Sequence, residues 1–158
     1  LSTIYVWDNG PFRELFRSFY PTVFKTLWSQ FDELIADGRI VSTREIKREL
    51  DDYNFPNLND WCSQNTSVFA TPNAEEAAYL AKIFAVPHFQ QAIEMQKLQK
   101  GGKHGDAFVI AKAGVCGGTV VTFEKHKPHS TKIPNICEHF GLHCMSLQEF
   151  MENEGWEF

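Results

Sequence analysis

Apolar positions along the chain follow two periods, and the alternation between them predicts the order of elements. Short runs rich in β-branched and aromatic residues read as strands: residues 3–7, Ile40-Val41, Val68-Phe69, the run from Thr119 to Phe123, and His143-Cys144-Met145. Between them, apolar residues recur at helical spacing. Phe12, Leu15, Phe16 and Phe19 make one face. Pro21 restarts the helix, and Val23, Phe24, Leu27, Phe31, Leu34 and Ile35 carry the apolar stripe to a stop at Asp37-Gly38. Ser42-x-x-Glu45 and Ser146-x-x-Glu149 have the form of capping boxes and predict two further helix starts. Other helices are expected around Trp61, from Thr71-Pro72 to Phe84, from Pro87 to about Leu98, from Asp106, and from Ile133-Pro134-Asn135 to Gly141. Strands separated by helices predict an α/β fold with parallel strands and crossover connections. With 158 residues, no internal repeat and no long linker, one domain spanning residues 1–158 is expected.

Composition narrows the function classes. A hydrophobic share of 43 % is that of a packed chain and excludes disorder. No apolar run approaches a membrane span, so no membrane partner is expected. The first residues lead straight into a strand pattern, and no leader is expected. Cys62, Cys116, Cys137 and Cys144 are scattered without a CxxC, which predicts reduced thiols and a cytoplasmic protein. The net charge of −5 does not advertise nucleic-acid binding, but the basic residues are concentrated. Lys97, Lys100, Lys103 and His104 precede Asp106; Lys125, His126, Lys127, His129 and Lys132 follow Glu124.

Those two acids belong to a set of four. Asp8 and Glu124 follow the strands Tyr5-Val6-Trp7 and Thr119-Val-Val-Thr-Phe; Glu49 and Asp106 sit on or at the start of short helices. Singly, each has a structural reading. Asp8 and Asp106 are placed to cap helices, Glu49 to face solvent from a helix, and Glu124 to be a loop charge. Glu45 is assigned to the capping box, leaving Glu49 one turn further along. Together, carboxylates at strand ends and helix starts converge on the carboxyl edge of a parallel sheet, where ligands bind. Such a cluster repels itself unless a hard cation sits within it, and Mg²⁺ and Mn²⁺ favour oxygen ligands of this kind and do phosphodiester chemistry.

The motifs Tyr-Val-Trp-Asp8-Asn9, Glu49-Leu50, Gly-Asp106-Ala-Phe-Val-Ile-Ala and Val-Val-Thr-Phe-Glu124 resemble the ordered acid motifs of PIN domains. The second half, including Lys132-Ile-Pro-Asn-Ile-Cys137-Glu-His-Phe-Gly141, is similar to an uncharacterised prokaryotic PIN-like branch. The resemblance spans the chain. It implies a three-layer α/β/α sandwich with a central parallel sheet and a metal-dependent ribonuclease site. Asp8, Glu49, Asp106 and Glu124 are then catalytic, and Asp8, Asp106 and Glu124 hold one or two Mg²⁺ or Mn²⁺ ions. Glu49 ligates or orients a water, and in-line attack leaves a 5′-phosphate. Glu124 stands where the family usually has Asp after Thr-x, one methylene longer. Asn9 stands where a small hydroxyl residue is common and can hydrogen-bond near the metal. With Lys103, Lys125 and Lys127, it is a candidate substrate contact. Many members, the VapC-like ones, are toxins paired with an antitoxin. The implied partners are therefore RNA and an antitoxin protein, with a homodimer also admissible.

Three other readings are open to the sequence. Cys137-Glu-His139-Phe-Gly-Leu-His143-Cys144 suggests zinc, but Cys137 and His139 form an awkward i, i+2 pair on a helix. The Phe and Trp residues of 12–35 fit a core better than a base-stacking platform. A PIN-like fold can also serve as a non-catalytic RNA- or protein-binding scaffold, which needs no metal.

Overall fold

The computed structural model describes residues 2–99 and 105–158. Strands β1 (Tyr5–Trp7), β2 (Ile40–Thr43), β3 (Phe69–Ala70), β4 (Thr119–Val121) and β5 (Cys144–Met145) form one sheet in the order β3-β2-β1-β4-β5. Every pairing is parallel. The connecting helices are α1 (Asn9–Ser18), α2 (Lys25–Ala36), α3 (Arg44–Asp51), α4 (Pro56–Gln64), α5 (Ala74–Phe84), α6 (Pro87–Gln99), α7 (Asp106–Cys116), α8 (Ile133–His139) and α9 (Leu147–Asn153). The result is the expected three-layer α/β/α sandwich. Among the described residues no helix is long and apolar enough to cross a membrane.

β1 occupies the middle of the sheet because it is apolar on both sides. Tyr5, Val6 and Trp7 are all fully buried, as a continuous apolar run in a covered parallel sheet should be. Successive side chains point to opposite faces. Trp7 lies 5.0 Å from Phe12, 5.7 Å from Phe31 and 5.2 Å from Phe150, ring centre to ring centre. Trp61 extends the cluster to Phe12, Phe16 and Phe31 at 5.5–5.7 Å. Contacts of this kind add about 0.5–1.5 kcal/mol each beyond the area they bury. The aromatic residues of α1 and α2 are thus core, as their spacing predicts, and they lock the helix that begins directly after Asp8. Helix α7 packs across β1, β2 and β4, which fixes its first residue, Asp106, over the same sheet edge.

Local chemistry moves some boundaries. The cap of α3 is Thr43, whose Oγ1 accepts the Ile46 N–H at 3.4 Å, and not Ser42. Ser42 lies inside β2 and donates to the Trp7 carbonyl at 2.6 Å. Glu45 is structural, as expected, but through Arg44 (2.9 Å) and Arg48 (3.9 Å) and not through a capping box. A capping box does exist at Asn73 and Glu76, at the head of α5, and the one at Ser146 and Glu149 forms as read. β4 stops at Val121, two residues short of the apolar run. Pairing with β1 ends there as well: the Asp8 N–H donates to the Val121 carbonyl at 3.0 Å and the chains then part.

Candidate metal centre

All strands end at one edge, and the chain reverses its order of strand addition between β1 and β4. From β1 the sheet grows through β2 to β3; on the other side it grows through β4 to β5. The crevice beyond the carboxyl ends at such a reversal is where open α/β sheets bind ligands. Asp8 leaves β1 at this point and Thr122 leaves β4.

Asp8 is the N-cap of α1. Its Oδ1 accepts the Asn9 N–H at 2.8 Å, and its Oδ2 accepts the Thr122 hydroxyl at 2.9 Å. Thr122 in turn accepts the Glu124 N–H at 3.1 Å, so one hydroxyl ties the Asp8 carboxylate to the turn that presents Glu124. Asp106 opens α7. Asp8, Asp106 and Glu124 each offer a carboxylate oxygen to a group in which all three lie within 4.8 Å of one another. Asp8 is 7 % exposed and Asp106 8 %. Burial, then the charge of Asp106, then that of Glu49 push the Asp8 carboxyl up to about 7, against the two hydrogen bonds that favour its ionised form.

Glu49 reaches the site from α3. It is buried, and its Oε2 lies where a methyl group on Gly105 would come within 2.6 Å, with Ile46 Cδ1 at 2.5 Å from the same point. A methyl group on Gly105 would force the Glu49 carboxylate and the Ile46 terminal methyl to shift, so the carboxylate rests against the backbone just before α7. Glu49 therefore adds negative charge to the site from beside the three-oxygen group.

The basic residues divide. Lys125 and Lys127 are exposed on the loop after β4. Lys125 lines a cavity beside Glu124, whereas Lys127 faces Asn135, which bonds its backbone on both sides (3.3 and 2.5 Å). Lys103 lies outside the described residues. The Asn9 contact to Asp8 uses its backbone N–H. Two contributors were not assigned from sequence. Lys132, at the far end of the basic stretch, places Nζ 4.0 Å from Glu124 Oε1. Thr122 was legible only as the Thr of the Thr-x-Glu124 motif.

A family model matches residues 5–158. The chain belongs to DUF4411, a domain of unknown function. No curated protein matches it in sequence. Among solved structures, this DUF4411 chain is similar to one in the crystal structure of VapBC2 from Rickettsia felis bound to a DNA fragment from their promoter. The TM-score is 0.51 at 12 % identity, over 91 % of this chain and 98 % of the other. At that identity the likeness shows the fold, which is PIN-like.

The donor set of the DUF4411 chain fits a divalent cation. It is all oxygen, it is buried at Asp8 and partly open at Glu124, and the Asp8 carboxyl is pushed above its ordinary value by burial and then by neighbouring negative charge, which a hard cation relieves. The alternative zinc ligands do not converge: among the described residues the acidic triad is the metal-type group found. Cys137 instead meets Cys144 across α8 and β5, and that hydrogen bond together with burial holds the Cys137 thiol far above its usual range. The four cysteines are scattered in sequence, but the fold brings these two into contact.

Proposed function

We propose that this chain is a metal-dependent nuclease that hydrolyses phosphodiester bonds in single-stranded RNA. The observation that carries the reading is the convergence of Asp8, Asp106 and Glu124 within 4.8 Å at the reversal point of a PIN-like sheet. In this reading residues 1–158 act as one domain, and Asp8, Asp106 and Glu124 hold Mg²⁺ or Mn²⁺. When bound, the ion lowers the pKa of a water, orients it and offsets charge on the scissile phosphate.

The chain's own residues do the rest. Thr122 and the Asn9 N–H hold both oxygens of Asp8 in place. Glu49, resting against Gly105, orients the attacking water and takes up its proton. Lys132 beside Glu124 and Lys125 at the rim face the incoming phosphate, and Lys103, Lys127 and Asn9 complete the proposed substrate contacts. The likeness to VapBC2 supports a further element, an antitoxin protein as partner and a toxin role for this chain.

The test is cleavage of total cellular RNA in Mn²⁺ by the purified chain and by Asp8→Asn and Asp106→Asn, with folding checked by circular dichroism. Loss of on the order of a hundredfold or more in either variant supports the reading. Cleavage unchanged by both substitutions belongs to a contaminant. No cleavage combined with no Mn²⁺-induced shift in Tm replaces the enzyme with a non-catalytic binding scaffold.

A further inference from the structure

Phe123 is out of place in this protein. Its neighbours Val121 and Thr122 are buried, yet its ring is 46 % exposed. Among the described phenylalanines, only Phe158 is likewise exposed. The ring is not adrift. A methyl group on Gly10, in the first turn of α1, would meet Phe123 Cδ2 at 2.8 Å, so one edge of the ring is seated on the glycine backbone. The ring is thus fixed one residue before a metal-site carboxylate, between two cavities. The apolar one, about 480 Å³, has Phe19, Leu147 and Met151 in its walls. The other, about 630 Å³, is polar in part and includes Glu124 itself, with Lys125, His126, Met145 and Ser146 around it.

The second cavity has the size of small-ligand pockets, roughly 300–1,000 Å³. A ligand filling it has one end at the acid cluster. It meets an aromatic face, the apolar edge of Met145, and polar groups at the base of α9. Ser146 Oγ accepts the Glu149 N–H, which leaves its own proton to donate. Lys125, next to Glu124 in sequence, lines the same cavity. A planar heteroaromatic group joined to a phosphate a few ångströms away matches this sequence of surfaces.

We propose that this cavity is a nucleobase subsite in which Phe123 stacks on the base of the nucleotide next to the scissile phosphate. The proposal rests on the nuclease reading above and extends it to the form of the substrate. A base can enter only if it is out of a duplex, so the ligand is single-stranded nucleic acid. Stacking is tolerant of base identity, and selection falls to the polar rim at Ser146.

The test uses fluorescence anisotropy with a short randomised single-stranded RNA pool, in Ca²⁺ so that the oxygen ligands are filled. It compares the wild-type chain with Phe123→Ala and Phe123→Trp. Truncation should weaken binding roughly ten- to hundredfold, and the tryptophan should preserve it. Pools made abasic at each position in turn should show one position whose loss weakens the wild type by a similar factor and adds nothing to Phe123→Ala. The Mn²⁺-induced rise in Tm should be the same in all three proteins. Unchanged binding in Phe123→Ala, or abasic losses that add fully to it, overturns the subsite while leaving the nuclease reading standing, and gives the cavity to a protein segment. Loss of the Mn²⁺ shift in Phe123→Ala also overturns it, since Phe123 then acts through Glu124. No RNA binding by the wild-type chain overturns both readings.

Discussion

Glu76 and Asp8 are buried to nearly the same degree, at 4 % and 7 % exposed, but their surroundings are opposite in sign. Glu76 sits in the capping box of α5, bonded to Asn73 in both directions, with Lys112 Nζ at 3.6 Å from α7. Glu45 is likewise answered by Arg44 and Arg48, and Glu154 by a two-pronged contact from Arg39 at 3.1 and 2.8 Å. These acids hold elements together. Asp8 receives hydrogen bonds from Asn9 and Thr122, but burial and then the like charges of Asp106 and Glu49 push its carboxyl up. Burying a charge beside like charges costs stability, and a fold keeps such an arrangement where something other than stability is served.

The sharpest way to break this contrast is catalytic. Asp106→Asn should lower metal-dependent RNA cleavage by on the order of a hundredfold or more. Glu76→Gln, compared per folded molecule, should stay within about twofold of wild type, because it changes only an ion pair remote from the crevice. Equal losses in single-turnover assays would erase the distinction. Next in size is stability. Glu76→Ala leaves Lys112 without its carboxylate and removes half a capping box, at a cost of about 2–3 kcal/mol in urea denaturation. Asp8→Asn should instead stabilise the metal-free protein at pH 8, by on the order of 2 kcal/mol, because it removes a buried charge from a repelling set.

The pH dependence follows from the same shift. The folded Asp8 carboxyl titrates at about 7 against an ordinary 3.8, so the folded state keeps its proton longer than the unfolded chain does. Its favourable contribution is fully present below about pH 4 and is lost as pH rises through about 7. The metal-free protein should therefore lose stability over that window, and Asp8→Asn should flatten the loss. Mn²⁺ competes with the proton, so the Mn²⁺-induced rise in Tm should be larger at pH 8 than at pH 6. A metal shift independent of pH would place the ion away from Asp8. The smallest expected effect is that of Thr122→Val. It removes the hydroxyl bridging Asp8 and the Glu124 turn, and should weaken Mn²⁺ binding about tenfold by calorimetry while costing about 1 kcal/mol of stability.

Much of this was legible from order alone. Asp8, Asp106 and Glu124 announce themselves because each follows a strand or opens a helix, and a parallel sheet sends all such positions to one edge. Glu49 was legible once Glu45 had a structural assignment, though the partners of Glu45 proved to be arginines and the cap moved to Thr43. A Ser-Thr pair offers two hydroxyls, and sheet pairing, which is not local, decided which one capped the helix. The role of Lys132 was hidden for a similar reason. Its basic stretch is readable, but only the return of the chain at α8 sets which lysine meets Glu124. Phe123 read as the last apolar residue of a strand. Nothing in Val-Val-Thr-Phe shows that pairing ends at Val121 and frees the ring.

The pairing of Tyr5 with Thr119 also bears on when the centre comes into being. Thr122 and Asp8 are 114 residues apart, and the hydrogen bond between them closes the largest loop in the site. Contacts of such separation form slowly, after local helices and nearer pairings. During synthesis Asp8 and Glu49 emerge long before Asp106 and Glu124, so a growing chain holds one carboxylate of the three-oxygen group and no centre. The crevice exists only once β4 has slotted in beside β1. Any chemistry at the crevice thereby waits until Thr122 and Glu124 have been made and have found Asp8.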